Sequence, residues 1–111
     1  MTEILHVAFR DAWADAVAGA AYLASGRGMT VAAEGFVHCA TRAQLGDVLT
    51  RHYEGVPREE LLVLVIDADA VAADGVDVRF ENTSGGTELF PHIYGELRPA
   101  WVGATEPTPA S

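Results

Sequence analysis

Three histidines sit at the centres of short apolar runs: His6 in Ile4-Leu5-His6-Val7-Ala8-Phe9, His38 in Gly35-Phe36-Val37-His38-Cys39-Ala40, and His92 in Phe90-Pro91-His92-Ile93-Tyr94-Gly95. An imidazole has a donor and an acceptor to satisfy and titrates near neutrality, so apolar neighbours make each of these residues conspicuous. The pattern predicts three strands, each with one inward imidazole, bordering a common cleft. Imidazoles so placed can shuttle protons, orient a sugar or ligate a metal. By strand parity Phe90, His92 and Tyr94 share a face, and their aromatic rings offer a surface on which a ligand ring can stack. Two carboxylates, Glu81 and Glu88, flank the glycine-bearing loop Asn82-Thr83-Ser84-Gly85-Gly86, with Arg79 just before it.

Other chemistries are weaker. His6, His38 and His92 add up to a three-histidine metal site of the catalytic-zinc type, but no short His-x-x-x-His spacing supports it, so no metal is expected. Two-histidine phosphoesterase chemistry needs His-x-Ser/Thr pairs, which His38-Cys39-Ala40 and His92-Ile93-Tyr94 lack. Cys39 points away from His38 by parity and reads as a buried thiol rather than a nucleophile. Ser25-Gly26-Arg27-Gly28 has neither the Gly-x-Gly-x-x-Gly pattern nor a P-loop lysine and reads as a plain loop.

The elements that must hold these residues follow from periodicity. Glu3 to Phe9 alternates as a strand. Asp11 is placed to cap a helix in which Trp13, Val17, Ala20 and Ala21 recur at helical spacing, to about Leu23. Phe36 to Ala40 is a second strand. Thr41-Arg42-Ala43-Gln44 fits a capping box, followed by the stripe Leu45, Val48, Leu49, His52 and Tyr53; His52, at the helix end, reads as structural. The unbroken apolar run Leu61 to Ile66 predicts a central strand covered on both faces. Val76 to Glu81 and Leu89 to Tyr94 complete the set, with Pro91 arguing for an edge strand or a bulge. Trp101 to Ala104 makes a final short strand.

At 111 residues, half of them apolar and 21% charged, the chain is sized for one domain over residues 1–105, with a proline-bearing disordered tail at 106–111. No apolar run approaches the roughly 20 residues that span a bilayer, which argues against a membrane partner. The single cysteine, and an N-terminus unlike a secretory signal, point to a reducing cytoplasm. Sixteen acidic residues against seven arginines give a formal charge of −9. Such a chain is poorly suited to long DNA or RNA. A small nucleotide or acidic metabolite remains accessible through one or two bidentate arginines.

Glu34-Gly35-Phe36-Val37-His38-Cys39-Ala40, Leu61 to Asp67 and Phe90-Pro91-His92-Ile93-Tyr94-Gly95, in that order and preceded by Leu5-His6-Val7, resemble the family called domain of unknown function 952, over about residues 3–103. The resemblance implies an α+β fold like that of ADP-ribosyltransferases: a small split β-sandwich of two mixed or antiparallel sheets with two packed helices around an NAD cleft. It also implies that NAD is bound as a substrate, with possible transfer of ADP-ribose. His6 matches the strand position that holds a ribose; Arg79, Glu81, Phe90 and Tyr94 are further binding candidates, and His38, His92 and Glu88 are catalytic candidates. The charge that develops when the bond to nicotinamide breaks requires a carboxylate near the ribose, for which both Glu81 and Glu88 are candidates. Ala40 departs from the family's usual Ser or Thr, removing a hydroxyl contact. A non-catalytic metabolite-binding protein is the alternative.

Overall fold

Leu61 to Asp67 form a strand that is apolar on both sides, and the chain folds around it. In the structure, a computed structural model that describes residues 2–83 and 85–109, β1 (Glu3–Phe9), β5 (Leu61–Asp67) and β8 (Val102–Pro107) form an antiparallel sheet in the order β1-β5-β8. Alternation sends Leu61, Val63 and Val65, with Leu5 and Val7, into a cluster closed by Leu45, Leu49 and Tyr53 of α3 (Leu45–His52) and its end. Leu64 and Ile66, with Ile4 and Ala8, enter a second cluster around Trp13, Tyr22, Val71, Ile93 and Trp101. His6 lies on this second face. The central position expected for the Leu61 run therefore holds, and both of its faces are dry.

A second antiparallel sheet has the order β4-β7-β6, from Val37–His38, Phe90–Ile93 and Val78–Glu81 respectively. The two sheets are joined where Leu5 and Ala40 exchange backbone hydrogen bonds of 2.8 and 2.7 Å. All strand pairings among the described residues are antiparallel, so the fold is α+β with antiparallel rather than mixed sheets. Pro91, expected at an edge or a bulge, is in the middle strand, which pairs in unshifted register with both neighbours. Toward β6 it opposes Phe80 without needing an N–H. Toward β4 its carbonyl accepts from Cys39 (3.0 Å), just past the last residue of that two-residue strand, so the missing donor falls where the ladder has ended.

Among the described residues four α-helices connect the strands: α1 (Arg10–Val17), α2 (Val31–Glu34), α3 and α4 (Ala68–Ala73). The first is shorter than its alanine content predicts and is not capped by Asp11, which sits in its first turn. It stops at Val17, ahead of Gly19 at φ 118°, and Val17 is exposed. Before α3, the Gln44 side chain accepts from the Thr41 amide (3.0 Å), as the capping-box reading requires, and the chain enters through a 3₁₀ turn. Gly35 ends α2 at φ 89°, a conformation that disfavours side chains; Gly35→Ala should cost about 1 kcal/mol, read as a lower urea midpoint.

Two expected irregular segments are ordered. Ser25-Gly26-Arg27-Gly28 is not a plain loop but part of a hairpin, β2 (Ala24–Gly26) paired with β3 (Met29–Thr30). It is anchored by the buried Ser25 hydroxyl, which donates to the Phe36 carbonyl. At the chain's end Glu106 and Pro107 belong to β8 and pair with Val63 and Leu62, while the Thr108 hydroxyl donates to the Arg58 carbonyl (2.9 Å). The expected tail thus starts inside a strand, and its last two residues lie outside the described ones.

Candidate functional site

Cross-strand register builds the site. His38 of β4 stands directly opposite His92 of β7, and His92 directly opposite Arg79 of β6, so the three side chains share one face. Glu81, two residues along β6, lies diagonally across from His92 and accepts from its Nδ1 at 2.9 Å. The same carboxylate oxygen accepts from the Tyr94 hydroxyl. These two hydrogen bonds, Tyr94's first and then that of His92, hold the Glu81 carboxyl below the usual carboxylate range. Phe36 stacks on the other side of His92, with ring centroids 4.1 Å apart, and His38 meets His92 edge-on at 5.3 Å.

Glu81 fixes which nitrogen of His92 carries the proton. With Nδ1–H donating to the carboxylate, Nε2 of the neutral ring presents a lone pair, and that nitrogen pairs with none of the described residues. His92 is nearly sealed, 2% exposed, yet lines a cavity of about 150 Å³. His38, Phe90 and the buried thiol of Cys39 share that lining with apolar side chains from β1 and α3. Burial pushes the Cys39 thiol up, away from thiolate chemistry. Burial, and then the neighbouring His92, lower the pKa of His38; Glu34, 3.5 Å from its Nε2, acts in the opposite sense. His38 therefore faces the cavity as a neutral imidazole, an acceptor or base rather than a cation.

The structure brings together His38, His92, Arg79, Glu81, Phe90 and Tyr94, and it separates two other expected residues from them. His6 does not converge with its partners on the cavity. It is 1% exposed on the opposite face of β1, its Nδ1 donating to the His38 carbonyl (2.7 Å) and its Nε2 accepting from the Tyr22 hydroxyl (2.8 Å). Both nitrogens are spent inside the protein, which leaves none for a ribose or for a metal. Burial takes its pKa down to about 4. Glu88 accepts from Gln44 Nε2 (3.1 Å) at the entrance to α3 and is not part of the cavity wall. Glu81, Tyr94 and Arg79 stand behind the wall: the Arg79 guanidinium lies 4.4 Å from the centre of the Tyr94 ring and pairs with Asp77. They can position His92 but do not line the space a ligand would enter.

Several residues of the site escaped sequence reasoning. Gly26 abuts His38 so closely that a Cβ there would come within 3.4 Å of the imidazole and 2.9 Å of the Met29 methyl. Arg27 and His52 border the cavity mouth. No short-range pattern connects a hairpin residue with a helix end; only the fold does. Among the described residues no group of three or more His, Cys, Asp or Glu is placed to hold a metal ion, and no helix is long and apolar enough to cross a membrane.

A family model described as a protein of unknown function (DUF952) matches residues 7–105. The chain belongs to DUF952. Its fold is also that of a solved protein: CC0527 from Caulobacter crescentus is 25% identical with a TM-score of 0.75, over 95% of this chain and 84% of that one. A double mutant of the same Caulobacter protein aligns at 26% identity and a TM-score of 0.74, with the same coverage. No curated protein matches this DUF952 chain. The family match spans β4, β6 and β7, which supply the Glu81–His92 pair and its neighbours.

Proposed function

We propose that this DUF952 chain binds a small molecule carrying a flat ring, an ADP-ribose-type nucleotide such as NAD being the candidate, with His92 as the group that recognises or deprotonates it. The observation that carries this reading is His92, set in the wall of an apolar cavity and held from behind by Glu81. A carboxylate behind an imidazole holds its tautomer and orientation and stabilises the cation that forms if the ring takes a proton. A titratable group converging on an apolar cavity is the mark by which a binding site is sought.

The size of the cavity sets how NAD would fit. About 150 Å³ is the volume of a site that accepts one benzene-sized ring, so a nicotinamide ring is a match and the rest of the dinucleotide must lie outside the mouth. Phe90 in the lining offers a face on which that ring stacks, and the ADP-ribosyltransferase-like fold that the resemblance to DUF952 implies is the reason to begin with this ligand. Transfer of ADP-ribose would further require a carboxylate at the ribose. Glu81, engaged by both Tyr94 and His92, is not available for that role, which favours binding over transfer.

Titrating the protein with NAD, ADP-ribose and nicotinamide while following histidine NMR signals tests this reading. His38 and His92 should shift with at least one of them while His6 stays still, and His92→Ala should weaken that binding by about 10- to 100-fold. Release of free nicotinamide from NAD would add cleavage of its glycosidic bond, with the ADP-ribosyl group passing to water or to another acceptor; binding without release would identify a ligand sensor. Silence of both histidines toward every nucleotide and toward nicotinamide would end the proposal.

A further inference from the structure

Arg27 reaches from the β2–β3 hairpin to the C-terminal end of α3, where its Nη1 donates to the carbonyl oxygens of His52 (3.4 Å) and Glu54 (2.9 Å). The last carbonyls of a helix lack partners of their own and favour a positive charge nearby, so this contact fixes the guanidinium at the cavity mouth. It occupies one of three nitrogens. Nε and Nη2, the edge that meets a carboxylate or phosphate with two parallel hydrogen bonds, pair with none of the described residues. Arg42, Arg79 and Arg98 each have a carboxylate partner; Arg27 has none among the described residues. His52 is exposed at the same rim and adds a second donor.

Deeper in, the balance reverses. His38 and His92 are backed by Glu34 and Glu81, and the rest of the wall is mostly apolar, so an anion placed inside would be repelled by those carboxylates and find few donors. An anion-accepting rim thus stands above an anion-rejecting interior. We propose that the site takes a two-part ligand: a flat uncharged or cationic ring in the cavity, and a carboxylate or phosphate held at the mouth by the Nε–Nη2 edge of Arg27. This inference rests on the reading of the cavity as a ligand site and specifies the ligand's chemistry.

Paired probes that differ by one anionic group test it on the full chain by calorimetry. Nicotinamide riboside and nicotinamide mononucleotide differ by a phosphate; nicotinamide and nicotinate differ by a carboxylate. At low salt the anionic member of at least one pair should bind about 10- to 100-fold more tightly than its partner, and which pair does so tells phosphate from carboxylate. Raising the salt toward about 1 M should shrink the preference. Arg27→Gln should abolish it while changing the affinity of the uncharged ring by no more than about threefold, and Arg27→Lys, which keeps the charge but not the fork, should retain only part. Should Arg27→Gln loosen the hairpin and lose ring binding as well, the paired comparison and salt series on the unaltered protein still decide. Equal affinities within both pairs, or a preference that survives Arg27→Gln, would overturn this inference alone. Failure of every probe to bind would overturn it together with the ligand-site reading.

Discussion

His6→Ala should remove about 4 kcal/mol of folding stability, a large share of what a domain of this size possesses. The imidazole is enclosed between β1, the backbone of β4 and Tyr22, and its loss leaves a carbonyl and a hydroxyl unpaired beside a new void. Each unpaired buried group costs roughly 1–3 kcal/mol, and the void adds to that. Urea denaturation of the purified variant measures the effect; a loss under about 1 kcal/mol would mean the site is wetter than the structure indicates.

The same residue gives the protein an acid-sensitive core. Burial lowers the folded-state pKa of His6 to about 4 from 6.5 in the free side chain, so the unfolded chain takes up the proton first as the pH falls. Stability from this group is complete above about pH 6.5 and is lost progressively down to pH 4, by roughly 3 kcal/mol in all at about 1.4 kcal/mol per unit. His38, lowered in the same direction, steepens the decline; Glu81, held below the usual carboxylate range, adds to it only in more acid solution. Denaturation curves at pH 7, 5.5 and 4.5 should show a steeper fall in the native chain than in His6→Gln, which cannot titrate. Parallel curves would exclude His6 as the source.

Glu81→Ala should have the second large effect, on the state of His92. Without the carboxylate, Nδ1 loses its acceptor and Tyr94 loses the partner of its hydroxyl, so the imidazole is free to carry its proton on either nitrogen. Nitrogen-15 shifts of the His92 ring should report an Nδ1–H tautomer in the native protein and a mixture in the variant. Any ligand that shifts His92 should then bind about 10- to 100-fold more weakly, the scale seen when a group that orients an essential histidine is removed. Thermal unfolding provides the control, because Glu81 is only partly buried and its loss should leave the fold standing. An unchanged tautomer would show that Phe36 and the β7 backbone orient the ring without help.

Much of the frame was legible because it is written in short-range patterns. The run from Leu61 to Ile66 and the Thr41–Gln44 box before the Leu45–Leu49 stripe are periodic signals that neighbouring residues suffice to produce. Strand parity also grouped Phe90, His92 and Tyr94 correctly. It could not say which side of β1 would face a cavity, because both of its faces are apolar, and so His6 looked equivalent to His38. The hairpin bearing Arg27 was invisible for a different reason: strands of three and two residues are too short to display an alternation. Pro91 misled because its place in the middle strand depends on where a partner strand ends, which is a property of the assembled sheet.

The reciprocal pair between Leu5 and Ala40 lies where one sheet meets the other, and both residues also line the cavity. Spreading the walls apart must break these two bonds before it disturbs either ladder. Their amide protons are therefore natural gauges of breathing: hydrogen exchange at Leu5 and Ala40 times how often the pocket opens, and a bound molecule that bridges both walls will slow it.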